Sequence, residues 1–246
     1  MMTGDYLRRG VAEFVGTFAL VFVGAGAIIY GDIVGVALAS GLVIAVMASA
    51  AIHVSGGHFN PAITLGFLLT RRIAVPLAVA YWVVQLGAAS LAALLLKWVM
   101  PEGALTNLGA PAVSSSIGSG EAVVVEATLT FFLVWTVFAT VVDHRGAFKQ
   151  IAGLAIGLAI AFGILMGAGL TGAAMNPARA FGPELVSNTW TDWWVWVLGP
   201  LAGATIAAVA YEALYLRPSP PQQELEEAPE PEPVLSGPAA ATDAGD

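Results

Sequence analysis

The chain has 246 residues, of which 58% are hydrophobic and only 11% are charged, and its mean hydropathy is +0.81. Soluble domains carry about a quarter charged residues, so this composition excludes a soluble protein and predicts an integral membrane protein. Without residues 218–246 the formal net charge of −8 shrinks to nine basic against ten acidic residues, and the absence of cysteine excludes disulfides and thiolate metal sites.

Six apolar segments are each near the roughly 20 residues that cross a bilayer as a helix. They lie at 11–30, 34–54, 77–99, 121–142, 150–168 and 193–216. Two shorter apolar stretches, 60–69 and 176–186, are too short to span and predict re-entrant half-helices. The predicted fold is therefore an all-α membrane protein with six transmembrane helices and two re-entrant half-helices.

The two halves of the chain resemble each other. Glu13 and Glu126 each open a matching apolar helix, with Thr17 and Thr130 four residues further on. Each half contains three spans, so the second half must enter the membrane from the opposite side, which predicts an inverted repeat. We expect a channel domain at 1–217, with repeats at about 6–100 and 121–216, followed by a disordered acidic, proline-rich tail at 218–246.

Positive charges orient this topology, because cytoplasmic loops are enriched in lysine and arginine. With both termini in the cytoplasm, seven of the nine basic residues lie on the cytoplasmic side; they are Arg8, Arg9, Arg71, Arg72, Arg145, Lys149 and Arg217. Only Lys97 falls near the outer side, and Arg179 falls within the membrane.

The triplet Asn-Pro-Ala begins each predicted half-helix, as Asn60-Pro61-Ala62 and as Asn176-Pro177-Ala178. Asparagine is a preferred helix N-cap and proline a preferred first helical residue. One copy alone is more simply a turn or a helix start, but two copies at matched positions predict a solute path between two facing helix N-termini. Those N-termini carry partial positive charge, which repels cations and hydronium, and the free amide N–H groups can hold a passing water by its oxygen.

Other polar groups at membrane depth are candidates for the same path. Arg179 has a functional interpretation by default, because a buried charge costs about 2.5–3.5 kcal/mol on insertion scales; the alternative is an arginine that caps backbone carbonyls. Glu13 and Glu126 are interpreted as structural acceptors for loop N–H groups rather than as proton relays. Extended backbone is expected to line the path at Gly56, Gly57, His58, Phe59, Gly172 and Ala174. His53 and His58 lack the carboxylate or cysteine neighbours of a metal site, so we expect no metal and no cofactor.

On these residues the chain resembles the aquaporins of the major intrinsic protein family. The resemblance covers residues 6–216 and rests on the segments 53–64 and 175–183 around the two triplets. It implies a homotetramer of hourglass-shaped monomers, each with its own pore, and passive conduction without catalysis. It also places a four-residue selectivity filter at Ser40, Ile164, Ala173 and Arg179.

The filter differs from the familiar versions within that family. Water-specific members usually have phenylalanine and histidine where this chain has Ser40 and Ile164, and glycerol facilitators carry an aspartate where Ala180 stands. The substitutions are expected to widen the filter and to make one wall apolar. We therefore expect a channel for water and small uncharged solutes such as glycerol, urea or metalloid hydroxides, in a cell (plasma or inner) membrane.

Four other interpretations stay open at this stage. The channel can be water-selective despite its filter. A secondary transporter also uses inverted repeats and broken helices, and Glu13 and Glu126 would then be its coupling carboxylates. An intramembrane enzyme has little support, because no serine–histidine pair or aspartate dyad lies at plausible depth. A structural junction protein with a closed pore remains, and nothing in the sequence suggests a nucleic-acid partner.

Overall fold

The computed structural model describes residues 2–146 and 149–216. Within these ranges it is helical, and nine α-helices are present: α1 Met2–Leu20, α2 Gly26–Tyr30, α3 Ile33–Ser55, α4 Pro61–Leu69, α5 Val75–Val99, α6 Ser119–Val137, α7 Ala152–Thr171, α8 Pro177–Ser187 and α9 Val195–Tyr211. The predicted disordered tail at 218–246 lies outside the described residues.

Six stretches in the described part of the chain are long and apolar enough to cross a membrane. Three of them join α-helices to π-helical turns at Val21–Ala25, Phe138–Val142 and Glu212–Leu216. The spans are Gly4–Tyr30, Ile33–Ser55, Val75–Val99, Ser119–Val142, Ala152–Thr171 and Val195–Leu216. The six predicted segments are confirmed: no end of an observed span differs from the prediction by more than three residues, except that the first span begins seven residues earlier.

Glycine lets the long helices approach until their backbones touch. A Cβ on Gly157 of α7 would collide with the backbone of Gly41 in α3, and a Cβ on Gly203 of α9 would collide with the backbone of Ala127 in α6. Small residues at such crossings are typical of membrane helices, which associate through close packing rather than through the hydrophobic effect. The half-helix α4 packs against α9 and α5, and the half-helix α8 packs mainly against α5.

The loops that lead into α4 and α8 begin in the same way. Gly56 ends α3 with φ 95° and Gly172 ends α7 with φ 77°, a left-handed conformation that glycine adopts without a Cβ penalty. The chain then runs without regular structure to Asn60 and to Asn176, where the half-helices start. Each half of the molecule therefore carries a long helix, a short irregular loop and a half-helix in that order.

Candidate functional site

The two half-helices meet at their asparagine caps. The Asn60 side-chain oxygen accepts a hydrogen bond from the Ala62 N–H at 2.8 Å, and the Asn176 oxygen accepts from the N–H groups of Ala178 and Arg179 at 3.0 and 3.2 Å. Pro61 and Pro177 occupy the first helical positions, where a missing N–H has no cost. Both caps are therefore made by the side chain, and both helix N-termini point toward the centre of the molecule.

Each cap also reaches across to the other half. The Asn60 amide donates to the Met175 carbonyl, and the Asn176 amide donates to the Phe59 carbonyl, both at 2.8 Å. An amide group carries two N–H donors, so one donor on each asparagine holds the opposite loop and the other is free for a solute. The sequence did not indicate this reciprocal pair of hydrogen bonds, which holds the two loops together.

Glu13 holds the loop that precedes α4. Its carboxylate is fully buried and accepts hydrogen bonds from the backbone N–H groups of His58 and Phe59 at 2.9 and 2.6 Å. It also accepts from the Ser55 hydroxyl at 2.7 Å and from the Gln85 amide at 2.9 Å. Four donors thus converge on one carboxylate, which supplies the acceptors that a non-helical buried backbone needs.

Glu126 holds the loop that precedes α8 in the matching way. It accepts hydrogen bonds from the N–H groups of Ala174 and Met175 at 2.9 and 2.8 Å and from the Thr171 hydroxyl at 2.7 Å. The α3 and α7 ends are held too, since the Tyr81 hydroxyl donates to the Ser55 carbonyl and the Trp196 indole to the Thr171 carbonyl. The scaffold of bonds around both loops therefore repeats nearly atom for atom.

A narrow cavity of about 20 Å³ lies beside the caps and contains all four residues of the predicted filter. Ser40 comes from α3, Ile164 from α7, Ala173 from the second loop and Arg179 from α8. Arg179 is 7% exposed, and its guanidinium donates to the Gly109 carbonyl at 2.9 Å. That carbonyl belongs to the connection Pro101–Gly109, so the position of the arginine is fixed by a segment distant in sequence.

Of the other residues predicted to line the path, some line this cavity and others lie outside it. Asn60, Ala174 and Asn176 line the cavity, whereas Gly56, Gly57, His58, Phe59 and Gly172 do not. The Phe59 carbonyl is already bonded to Asn176 and its ring packs against Gly16 in α1. Five further residues complete the wall: Leu20, Gly24, Leu133, Ile160 and Met175.

Some of the missed residues had a signal in the sequence. Leu20 lies seven residues after Glu13, and Leu133 lies seven residues after Glu126. Seven residues are two helical turns, so each leucine shares a helix face with the glutamate that holds its loop. The repeat therefore pointed to both leucines, and a search for matched positions would have found them.

His58 belongs to a buried polar network rather than to a metal site. Its Nδ1 lies 3.0 Å from the Thr64 hydroxyl, which also accepts a hydrogen bond from the Gln85 amide at 3.2 Å. Its ring packs at a tilt against Phe67 and edge-on against Tyr81. No cluster of three or more potential metal-ligating side chains occurs in the part of the chain that the structure describes.

Three comparisons with known proteins agree with this architecture. Residues 1–211 match the family model "Major intrinsic protein". The chain is 42% identical over 224 residues to "Aquaporin TIP4-4" of Zea mays, covering 85% of this chain and 87% of that protein. It is 41% identical over 233 residues to "Probable aquaporin TIP-type alpha" of Phaseolus vulgaris, covering 88% and 89%.

The fold is similar to the X-ray structure of the aquaglyceroporin from Plasmodium falciparum, with a TM-score of 0.77 over 85% of this chain and 96% of the other. The sequence identity of that pair is 24%, so the likeness concerns the fold. The family model and the relatives identify a passive membrane channel for water and not an enzyme. The chain belongs to the major intrinsic protein family, the aquaporins.

Proposed function

We propose that the channel conducts small uncharged solutes such as glycerol, urea or metalloid hydroxides in addition to water, and that it excludes ions and protons. Selection takes place at the filter formed by Ser40, Ile164, Ala173 and Arg179. The observation that carries the proposal is the wall of this filter: among the described residues that line the cavity, none is aromatic.

The wall combines one polar side with one apolar side. Ile164, Ile160 and Leu133 supply branched aliphatic surface, against which the carbon skeleton of a solute packs. Ser40 and Arg179 supply a hydroxyl and a guanidinium, which bond the hydroxyl or carbonyl oxygens of the solute. An amphipathic wall of this kind favours solutes that carry both types of surface.

Exclusion of ions and protons rests on fixed positive charge. The N-termini of α4 and α8 each carry about +0.5 elementary charge, and Arg179 adds a full charge at the filter. The free N–H donors of Asn60 and Asn176 bind a water molecule through its oxygen, which prevents that water from accepting a proton from its neighbour. A neutral solute meets no such barrier.

The narrowness of the cavity favours a second candidate, a water-selective channel. About 20 Å³ is close to the minimum of roughly 10–15 Å³ that holds one water molecule. Glycerol passes only if side chains that line the cavity move apart. The two candidates therefore differ in whether the side chains of the cavity wall move enough to admit glycerol.

Stopped-flow light scattering on proteoliposomes separates the candidates. Shrinkage in a sucrose gradient reports water flux, and reswelling in glycerol or urea gradients reports solute flux. The proposal expects fast shrinkage and fast reswelling, and it expects the double variant Ser40→Phe, Ile164→His to keep the former and lose the latter. Leu42→Phe, which alters a side chain that is 59% exposed on α3, is the matched control and leaves both rates unchanged.

Slow reswelling of the wild type would establish the water-selective candidate instead. Saturable, ion-coupled uptake that disappears in Glu13→Gln would establish a secondary transporter. If neither flux exceeded that of empty liposomes with insertion confirmed, the conducting state itself would be refuted.

We further propose that residues 1–217 form the channel domain, assembled as a homotetramer in a cell membrane with both termini in the cytoplasm. The resemblance to aquaporins supports the tetramer, and the distribution of positive charge supports the orientation. Light scattering on the detergent-solubilised protein tests the mass of the assembly, and protease protection in sealed vesicles tests the side of the termini.

A further inference from the structure

Two further cavities lie on the side of α8 that faces away from the filter. The larger, of about 400 Å³, is lined by apolar side chains that include Trp82 and Leu86 of α5 and Leu201 of α9. The smaller, of about 240 Å³, is lined by Glu184 together with Trp190, Trp193 and Trp196. Pro177, Phe181 and Val197 line both, so the two cavities form one continuous groove, which we call the α8 groove.

Glu184 is the one charged residue among the described residues that line the α8 groove. Its side chain is buried, with 4% of the residue exposed, and its Oε1 has no hydrogen-bond partner among the residues that the structure describes. Glu13 and Glu126 are equally buried but accept four and three hydrogen bonds. A buried carboxylate oxygen without a donor is costly, and a cationic N–H group is the donor that offsets this cost most strongly.

Arg179 does not meet this need. It precedes Glu184 by five residues on α8, and its guanidinium donates to Gly109 and lines the filter cavity. No other residue in the described part of the chain donates to Oε1 either, so a bound molecule can supply the donor.

The depth of the groove indicates what kind of molecule reaches it. Glu184 follows Pro177 by seven residues, or about 10 Å along α8, within a hydrocarbon half-thickness of about 15 Å. Trp190 and Trp193 are 39% and 50% exposed and are typical of the aromatic belt at the membrane interface. The groove thus runs from the interface toward the midplane, along the direction of an acyl chain.

We propose that the α8 groove binds an aminophospholipid, with its primary ammonium on Glu184 and one acyl chain along Phe181, Val197 and Leu201. An ammonium donates a charge-assisted hydrogen bond to Oε1, and neighbouring indole faces attract the same cation. A choline headgroup carries no N–H and leaves Oε1 unbonded, and an anionic headgroup is repelled by the carboxylate. The predicted order of retention is therefore ethanolamine, then choline, then glycerol headgroups.

Native mass spectrometry of the full chain tests this order. The protein is purified in detergent and exposed to an equimolar mixture of dioleoyl phosphatidylethanolamine, phosphatidylcholine and phosphatidylglycerol. The wild type is expected to retain phosphatidylethanolamine in about tenfold excess over phosphatidylglycerol, which corresponds to about 1.4 kcal/mol. Equal retention of the three lipids, or a preference for phosphatidylglycerol, overturns the proposal.

Two variants distinguish the contribution of the lipid headgroup from that of the acyl chain. Glu184→Gln is expected to abolish the preference, whereas Glu121→Gln, the same change at an exposed position, is expected to keep it. Val197→Phe fills the groove while Glu184 stays, and it is expected to lower the retention of all three lipids. A preference that survives Glu184→Gln contradicts the proposal.

Water flux through proteoliposomes shows that each variant is folded, because the α8 groove shares no side chain with the filter cavity. If Glu184→Gln loses water flux and so fails to fold, Val197→Phe still decides the question: unchanged lipid retention in that variant contradicts the proposal.

Discussion

The loops that precede α4 and α8 are held by the same pattern of hydrogen bonds but differ in the side chains around them. In both, a buried glutamate accepts two backbone N–H groups and one hydroxyl, and an aromatic side chain holds the end of the preceding helix. In the first loop His58, Thr64 and Gln85 add a polar network. On the side of the second loop, Ala174 and Ala180 stand at the positions that match His58 and Thr64, and Ala173 and Arg179 line the cavity.

The backbone conformations of the two loops also differ in what they require of the side chain. Gly57 has φ 61°, whereas its counterpart Ala173 has φ 46°, a left-handed conformation that costs a residue with a Cβ about 1–2 kcal/mol. The Ala173 methyl lines the cavity, so the second loop accepts backbone strain where a side chain narrows the path. The repeat thus supplies the same scaffold twice, whereas Ala173, Ala174 and Met175 of the second loop line the cavity and their first-loop counterparts Gly57, His58 and Phe59 do not.

The largest effect is expected from removing one of the two carboxylates that hold the loops. Glu126→Ala leaves the N–H groups of Ala174 and Met175 buried without acceptors, at about 1–3 kcal/mol each. We expect a loss of most folded protein, measured by fluorescence-detected size exclusion in detergent. Glu13→Ala is expected to have an effect at least as large, because it releases four donors.

Glu121→Ala provides the control for both changes, since Glu121 is exposed and its removal should leave the yield unchanged. A monodisperse Glu126→Ala protein with wild-type thermal stability would contradict the scaffold role.

The next largest effect is expected from removing Arg179, the arginine of the proposed filter on α8. Arg179→Ala removes a positive charge and a bulky side chain from the cavity, so glycerol flux should rise by about tenfold, equivalent to about 1.4 kcal/mol off the barrier. Proton leak should rise as well, measured with a pH-sensitive dye inside proteoliposomes.

Arg9→Ala is the comparison variant, because Arg9 pairs with Asp5 near the start of α1 and does not line the cavity. Unchanged glycerol and proton flux in Arg179→Ala would place selection elsewhere in the channel.

Thr64→Val tests the network that the first loop alone possesses. Valine keeps the shape of threonine but removes the partner of His58 Nδ1 and of the Gln85 amide. We expect a loss of about 1–3 kcal/mol in the free energy of unfolding, measured as a lower melting temperature by tryptophan fluorescence, with water flux retained.

Thr70→Val makes the same change at the end of α4, where the hydroxyl donates to carbonyls of its own helix and is partly exposed. A smaller shift is expected there. Equal shifts in the two variants would mean that the His58 network adds nothing specific.

The smallest effect is expected outside both loops, at the cytoplasmic end of α6 in the proposed orientation. Hydrogen bonds from the Arg145 guanidinium and backbone hold the pKa of Asp143 well below its usual range. A lowered pKa stabilises the folded state above the unfolded value of about 3.9, and the contribution is lost as the pH falls through the folded pKa.

Asp143→Asn should therefore lower the melting temperature by a constant amount between pH 7 and pH 5, and the difference should shrink below about pH 4. A difference that grows on acidification would contradict this assignment.

Much of the fold was readable from the sequence because the bilayer leaves few choices. A span needs about 20 apolar residues with its backbone bonded internally, so hydropathy alone placed the six spans. The Asn-Pro pairs marked the starts of α4 and α8 at the residues where they occur, since capping is a local property of the chain. The repeated Glu13 and Glu126 indicated which acceptors the irregular loops would need.

Tertiary structure decided what local patterns do not encode. The reciprocal bonds between Asn60 and Met175 and between Asn176 and Phe59 join residues more than a hundred positions apart. The anchor of Arg179 on Gly109 and the unbonded oxygen of Glu184 depend equally on distant segments. The sequence by itself determined the helices, their caps and the repeat; only the packing of one half against the other determined which donors stay free, because a hydrogen bond between halves exists only once both are in place.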